Sequence, residues 1–344
     1  MSLPPSTVLT DPTYPLHPIL SFLGFALCLI PLPWHIQASN SATCAFMIWT
    51  ALWCLNGFVN SVVWRANSSN PAPIWCDIST KFDIGASIGI PAAVLCISRR
   101  IYVLMSLNAS SMTQREKRRM IILDVLICVG LPVVIMILHY IVQDHRFDIL
   151  QDIGCYTVIY NTPLAYILVL VWPVILGLIS LVYSSLSLRL FIICRNEITR
   201  VRDSTSSVSL KRYSRLGIFA ILDLVCTVPL GIYSLYLGPR GSTLRPYVSF
   251  RESHANFSNV ELIPTSEWRS DPSFHFSVEL MRWMHVYCAF LFFAAFGLTV
   301  DARLHYRNAI LKVFKGAEHS YRRLSHMDAW SSDRESDANS YVSS

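Results

Sequence analysis

Charge is scarce in this chain of 344 residues: Asp, Glu, Lys and Arg make up 15% of it, against 53% hydrophobic residues. A soluble globular domain normally carries more charge and less apolar content, so that class is disfavoured at the outset. Other things are missing too. No internal repeat is visible, and no polar stretch is long enough to be a soluble domain. Lysine is absent from the last long apolar run, residues 276–300, so no retinal Schiff base can form there. There is no paired acidic motif of the kind that serves prenyl transfer, no His/Asp cluster at metal-ligand spacing and no Gly-x-Ser-x-Gly. The expectation is therefore no enzyme, no metal and no cofactor. No nucleic-acid partner is expected.

What the chain does have is clustered hydrophobicity. Seven apolar runs of about 20 residues or more fall at 16–36, 43–64, 76–97, 120–142, 163–188, 216–237 and 276–300. Each is long enough to cross a hydrocarbon core of about 30 Å. The first has no basic flank and no small-residue cleavage site, so it reads as retained. The expected fold is an all-α membrane protein, a bundle of seven transmembrane helices. The expected parts are a short outer N-terminus (1–15), the bundle (16–300), an amphipathic helix at the membrane surface (301–316) and a disordered tail (317–344).

Basic residues give the orientation. The third loop carries Arg115, Lys117, Arg118 and Arg119, and the fifth carries Arg189, Arg195, Arg200, Arg202, Lys211, Arg212 and Arg215. The segment before the first span has no Lys or Arg. Basic loops stay in the cytoplasm, so the N-terminus is expected outside and the C-terminus inside. The glycosylation sequons at Asn67 and Asn256 then lie outside, and the one at Asn108 inside. Of ten cysteines only Cys76 and Cys155 fall on the outer side, which is oxidising, so they are expected to pair as a disulfide.

Charges inside the spans are costly and need partners. Asp77 and Lys81 are four residues apart, the spacing of an i,i+4 pair, while Asp83 points elsewhere. Glu279, Arg282 and His285 stand near the outer end of the last span. If the third and seventh spans both line the bundle centre, Lys81, Asp83, Glu279 and Arg282 form a polar floor under an outward-facing cavity. The alternative, an ion network that only neutralises itself, has equal weight. Asp83, Asp124 and Asp223 also suggest a rival: a transporter or channel with an intramembrane acidic path. Asn56 and Asn60, also four apart, can bond across helices.

Several ordered motifs carry a family likeness. Trp75–Lys81 reads WCDISTK, Gly85–Gly89 reads GASIG and Cys96–Tyr102 reads CISRRIY. Tyr140–Cys155 reads YIVQDHRFDILQDIGC, and Arg212, Tyr213 and Arg215 precede the sixth span. In these the chain resembles the fungal mating-pheromone receptors of the lipopeptide (a-factor) class, class D of the G-protein-coupled receptors. The resemblance implies a plasma-membrane receptor for a short peptide with a farnesylated, methylated C-terminal Cys, acting on the α subunit of a heterotrimeric G protein. Membrane lipid is an implied partner, and a homodimer is compatible with it. Cys76 and Cys155 match the family's outer cysteines and Lys81 matches a family position, whereas Asp83 does not. Asp77, Lys81, Asp83, Glu279, Arg282 and His285 are the ligand-site candidates, by location. Arg99, Arg100, Arg212 and Arg215 are the candidates for the G-protein face. Ser98-Arg99-Arg100-Ile101-Tyr102 stands where other receptor classes have Asp-Arg-Tyr, so their activation details do not carry over.

Overall fold

A computed structural model describes residues 11–106, 113–201 and 243–298, with short pieces within 228–236 and 302–307. The chain divides into two compact units, residues 1–295 and 296–344. In the second, residues 302–304 and 306–307 are helical. The rest of the expected surface helix and tail lies outside the described residues.

The first unit is built on long apolar helices. Helix α1 (Leu16–Leu29) gives way to α2 (Leu32–Gln37) at Pro31 and Pro33, which can open a helix but not continue one. Next come α3 (Ser41–Val63) and α4 (Pro73–Ser106). At 34 residues α4 is about 51 Å long, more than the membrane core needs. It packs against α3 and against two later helices, α6 (Leu131–His139) and α8 (Trp172–Val201), and is the axis of the bundle. Helix α5 (Gln114–Val125) opens on a capping box between Thr113 and Glu116. A π-turn over Leu126–Gly130 links it to α6, and a second over Tyr166–Leu170 follows α7 (Pro163–Ala165) and leads into α8. Each π-turn lies just ahead of a proline, Pro132 or Pro173, whose ring would clash with the carbonyl four residues back in an unbroken α-helix.

Among the described residues six helical segments are long and apolar enough to cross a membrane: Leu16–Gln37, Ser41–Val63, Pro73–Ser106, Gln114–Val142, Trp172–Ile193 and Pro272–Gly297. The expected span at 216–237 lies mostly outside the described residues. Large apolar side chains such as Ile19, Phe22, Ile122, Val134 and Val182 are exposed along these helices, as lipid-facing residues are. Facing inward, Ile88, Ala92, Ile135 and Val169 form a buried core where α4 meets α6 and the second π-turn. Trp49 of α3 lies in the groove left by two glycines. A Cβ on Gly89 would sit 2.5 Å from its indole, and one on Gly85 would sit 3.0 Å from it. The indole N–H donates to the Cys128 carbonyl, the one that Pro132 cannot use, at 2.8 Å.

The bundle is not purely α. Strand β1 (Phe147–Leu150) pairs antiparallel with β2 (Gly154–Tyr156) and parallel with β3 (Val260–Ile263), giving a three-stranded sheet in the order β2-β1-β3. This corrects the all-helical expectation. The turn of the hairpin uses Asp152 and Gly154 at φ 69° and 97°. Gly154 lets the hairpin settle on α3, because a Cβ there would lie 2.8 Å from the Asn60 side chain. Helix α9 (Phe250–Ser253) precedes β3, and α10 (Thr265–Trp268) and α11 (Pro272–Phe292) follow it.

Candidate functional site

Three elements hold the sheet in place over the bundle. A disulfide joins Cys76, in the first turn of α4, to Cys155 of β2. Asp77 accepts two hydrogen bonds from the Arg146 guanidinium, which ties the same turn to the start of β1. Asp152 accepts from the Ala66 amide at 2.7 Å and from the Thr265 hydroxyl at 3.0 Å, joining the loop after α3 to α10. Beside β1, His145 contacts Asp148 at 2.6 Å and Asp144 at 3.5 Å. Burial works against a charge on His145, but the two carboxylates outweigh it and push its pKa up to about 9. Ligand atoms of His145, Asp148 and Glu261 lie within 4.8 Å of one another and could hold a cation, although His145 and Asp148 already bond each other.

Under this cover lies a cavity of about 320 Å³. Helix α1 contributes His17, α3 contributes Asn56 and Ser61, and α4 contributes Asp83 and Ser87. The hairpin and the segment after it contribute residues from Ile153 to Ile159, and α11 contributes Arg282 and His285. The wall toward α8 is apolar: Ile84, Ile90, Val169, Leu170 and Pro173.

The polar groups have specific partners. Asp83 accepts from the Asn56 amide at 2.9 Å. Asn60 bonds Ser79 and Trp75, so both asparagines do bridge α3 to α4. His17 contacts Ser61 at 2.9 Å and the Arg282 carbonyl at 3.1 Å. His285 contacts Ser21 at 3.1 Å and fills the place of a Gly57 side chain, whose Cβ would lie 2.4 Å from its ring. Arg282 is 4% exposed and donates to Asp11 at 2.6 Å, with Glu279 at 3.6 Å. Arg269 stands 3.7 Å from Asp11. Burial alone would raise the pKa of Asp11, but the hydrogen bond and charge of Arg282 hold the carboxyl below its usual range.

The single polar floor expected from Lys81, Asp83, Glu279 and Arg282 does not form. Lys81 donates to Gln143 at 2.6 Å and contacts His139 at 2.8 Å, tying α4 to the end of α6, and it does not bond Asp77. Asp83, Arg282 and His285 line the cavity; Asp77, Lys81 and Glu279 do not. Asp11, Arg146 and Arg269 were not singled out by the sequence. A buried Arg282 demands a counter-charge, but nothing local marks Asp11, 271 residues away, as its acceptor.

At the other end of α4 the arginines are also engaged. Arg99 donates to Asp124 at 2.9 Å, and Ser41 donates to the same carboxylate at 2.6 Å. Arg100 donates twice to the Ser39 carbonyl, each at 3.1 Å. These residues therefore brace the bundle, with about one-fifth of each arginine side chain exposed. Asp124, 1% exposed and paired, is poorly placed as a step on an acidic path. Arg212, Arg215 and Asp223 lie outside the described residues. Asn67 and Asn256 are exposed, as glycosylation would need.

Residues 16–315 match the family model described as pheromone A receptor, STE3. The chain belongs to the pheromone A receptor family. It is 48% identical over 299 residues to the pheromone B alpha 3 receptor of Schizophyllum commune, covering 87% of this chain and 48% of that protein. It is 30% identical to pheromone receptor 1 of Mycosarcoma maydis, covering 85% and 82% of the two chains. It is 26% identical to the pheromone a factor receptor of Saccharomyces cerevisiae, covering 86% and 61%. The chain thus spans about half the length of the Schizophyllum relative. This pheromone A receptor family is a family of membrane receptors, in keeping with a multi-pass chain.

Proposed function

We propose that the chain is a plasma-membrane receptor for a farnesylated peptide pheromone and that it activates a heterotrimeric G protein through its α subunit. Seven spans, with the N-terminus outside, complete this reading; the run at 216–237, sixth in chain order, joins the six helical segments above, and the basic third and fifth loops set the orientation. The observation that carries it is the family match over residues 16–315, which includes every wall of the cavity.

The cavity suits such a ligand. It combines an apolar wall with a few fixed polar groups, as small-ligand sites do. A prenyl chain contributes about 0.8 kcal/mol for each CH₂ it buries. Asp83, Arg282 and His285 are the proposed ligand contacts. Asp77, Lys81 and Glu279 act from behind, by fixing the hairpin, α6 and Arg282. The inner ends of α4 and α5 with the basic fifth loop, Arg212 and Arg215 included, form the proposed G-protein face. The reading is tested by nucleotide exchange on a purified Gα subunit, with the receptor in nanodiscs and a panel of farnesylated peptides. At least one peptide should accelerate exchange. No acceleration across the panels of compatible mating partners would refute it.

A further inference from the structure

The two sides of the cavity differ in chemistry, and the difference constrains how a ligand lies. On the α11 side, Arg282 is buried, and its Nε and Nη1 have no hydrogen-bond acceptor among the described residues. His285 is 3% exposed, and its Nδ1 also lacks a partner. The Arg282 N–H groups are donors whatever the tautomer of His285, unmet donors in a low-dielectric site are costly, and a ligand that brings an acceptor removes that cost. The charge there is already balanced. Arg282 and Arg269 face Asp11 and Glu279, two bases against two acids. A carboxylate would add an uncompensated charge, whereas a neutral carbonyl would not. On the opposite side, Ile84, Ile90, Val169, Leu170 and Pro173 offer only apolar surface.

The geometry points to a single ligand orientation: a neutral carbonyl, amide or ester, seated at Arg282 and His285, with the apolar chain running to the wall formed by Ile90 and Val169–Pro173. This rests on the receptor reading above and adds to it which end goes where. The acceptor-rich end lies between α1 and α11, and the lipid end lies between α4 and the π-turn before α8. Arg282 is then the residue that selects for the carbonyl.

The test is a chemical double-mutant cycle in the exchange assay. The probes are a farnesylated peptide methyl ester that activates the wild-type chain and its analogue with the terminal ester carbonyl reduced to CH₂. In wild type, loss of the carbonyl should raise the half-maximal concentration about tenfold or more. In the Asp11→Asn/Arg282→Met double variant, both partners of the buried pair go together, which is tolerated better than loss of one. There the two probes should differ by less than about twofold. A preference that persists unchanged in the variant overturns the inference. A second measurement needs no variant: a diazirine at the far end of the prenyl chain should label the segment around Val169–Pro173 in wild type. Labelling around His17 and His285 instead overturns it. If no peptide activates wild type, the receptor reading falls and takes this inference with it; activation with the wrong labelling or an unchanged preference refutes the orientation alone.

Discussion

Replacing Asp11 by Asn should destabilise the outer half of the receptor far more than its place near the chain terminus suggests. The Arg282 side chain is 4% exposed, and among the described residues its shortest ion-pair contact is to Asp11 at 2.6 Å. Glu279 is 3.6 Å away and 22% exposed, so it can offset only part of the charge left behind. Arg269, 3.7 Å from Asp11, loses a partner at the same time. Removing one member of a buried ion pair typically costs about 3–5 kcal/mol. At roughly 2 °C per kcal/mol for a chain of this size, the unfolding midpoint should fall by about 6–10 °C. The assay is thermal unfolding of the purified receptor in detergent, followed by a thiol-reactive dye on buried cysteines such as Cys28, Cys54 and Cys288. Glu279→Gln should shift the midpoint by less than half as much. Asp11→Asn combined with Arg282→Met should recover most of the loss, because no uncompensated charge remains. If Asp11→Asn melts with wild type, or Glu279→Gln costs more, the ion network is not what holds Arg282 in place.

Other perturbations follow from the same geometry. Gly89→Ala should cost about 1–3 kcal/mol, because its Cβ would enter a Trp49 ring held by a hydrogen bond, whereas Gly130→Ala, with open space around it, should be neutral or stabilising in the same melt. His145 holds its proton more tightly folded than unfolded, so the stability it contributes is fully present below about pH 6.5 and fades as pH rises through about 9. The loss, on the order of 3 kcal/mol, should vanish in His145→Gln when melts at pH 6 and pH 9 are compared. Cys76→Ser should loosen the sheet, seen as faster amide exchange over Phe147–Tyr156, while α5 keeps its protection. Asp124→Asn should weaken the brace between α4 and α5 and raise exchange at the inner end of α4; unchanged exchange there would count against the Arg99 contact.

Much of the bundle was legible because lipid-facing helices announce themselves by length and apolarity. The span boundaries shifted where local chemistry intervened: α4 runs on to Ser106 because Arg99 and Arg100 sit in helix with partners of their own. The disulfide partners could be named because only two cysteines fall on the outer side of the expected topology. The site was less legible. Four-residue spacing suggested that Asp77 and Lys81 pair, yet each has a stronger partner, Arg146 and the His139–Gln143 pair, brought by a loop and a different helix. Spacing reports only neighbours on one helix, and a bundle adds neighbours from others. The sheet was missed because β1 and β3 are short and more than a hundred residues apart, with no alternation to betray their pairing. Asp11 was missed for the same reason: its role exists only once α11 stands beside α1.

The central claim, that a lipidated peptide occupies the cavity under the sheet, is tested most directly by saturation binding of a radiolabelled farnesylated peptide to the receptor in nanodiscs. Ser87 lines the cavity, so Ser87→Trp should fill it and abolish the saturable component. Ile122 is 49% exposed on the lipid-facing side, so Ile122→Trp should bind as wild type does. Equal saturable binding by wild type and both variants would contradict the account.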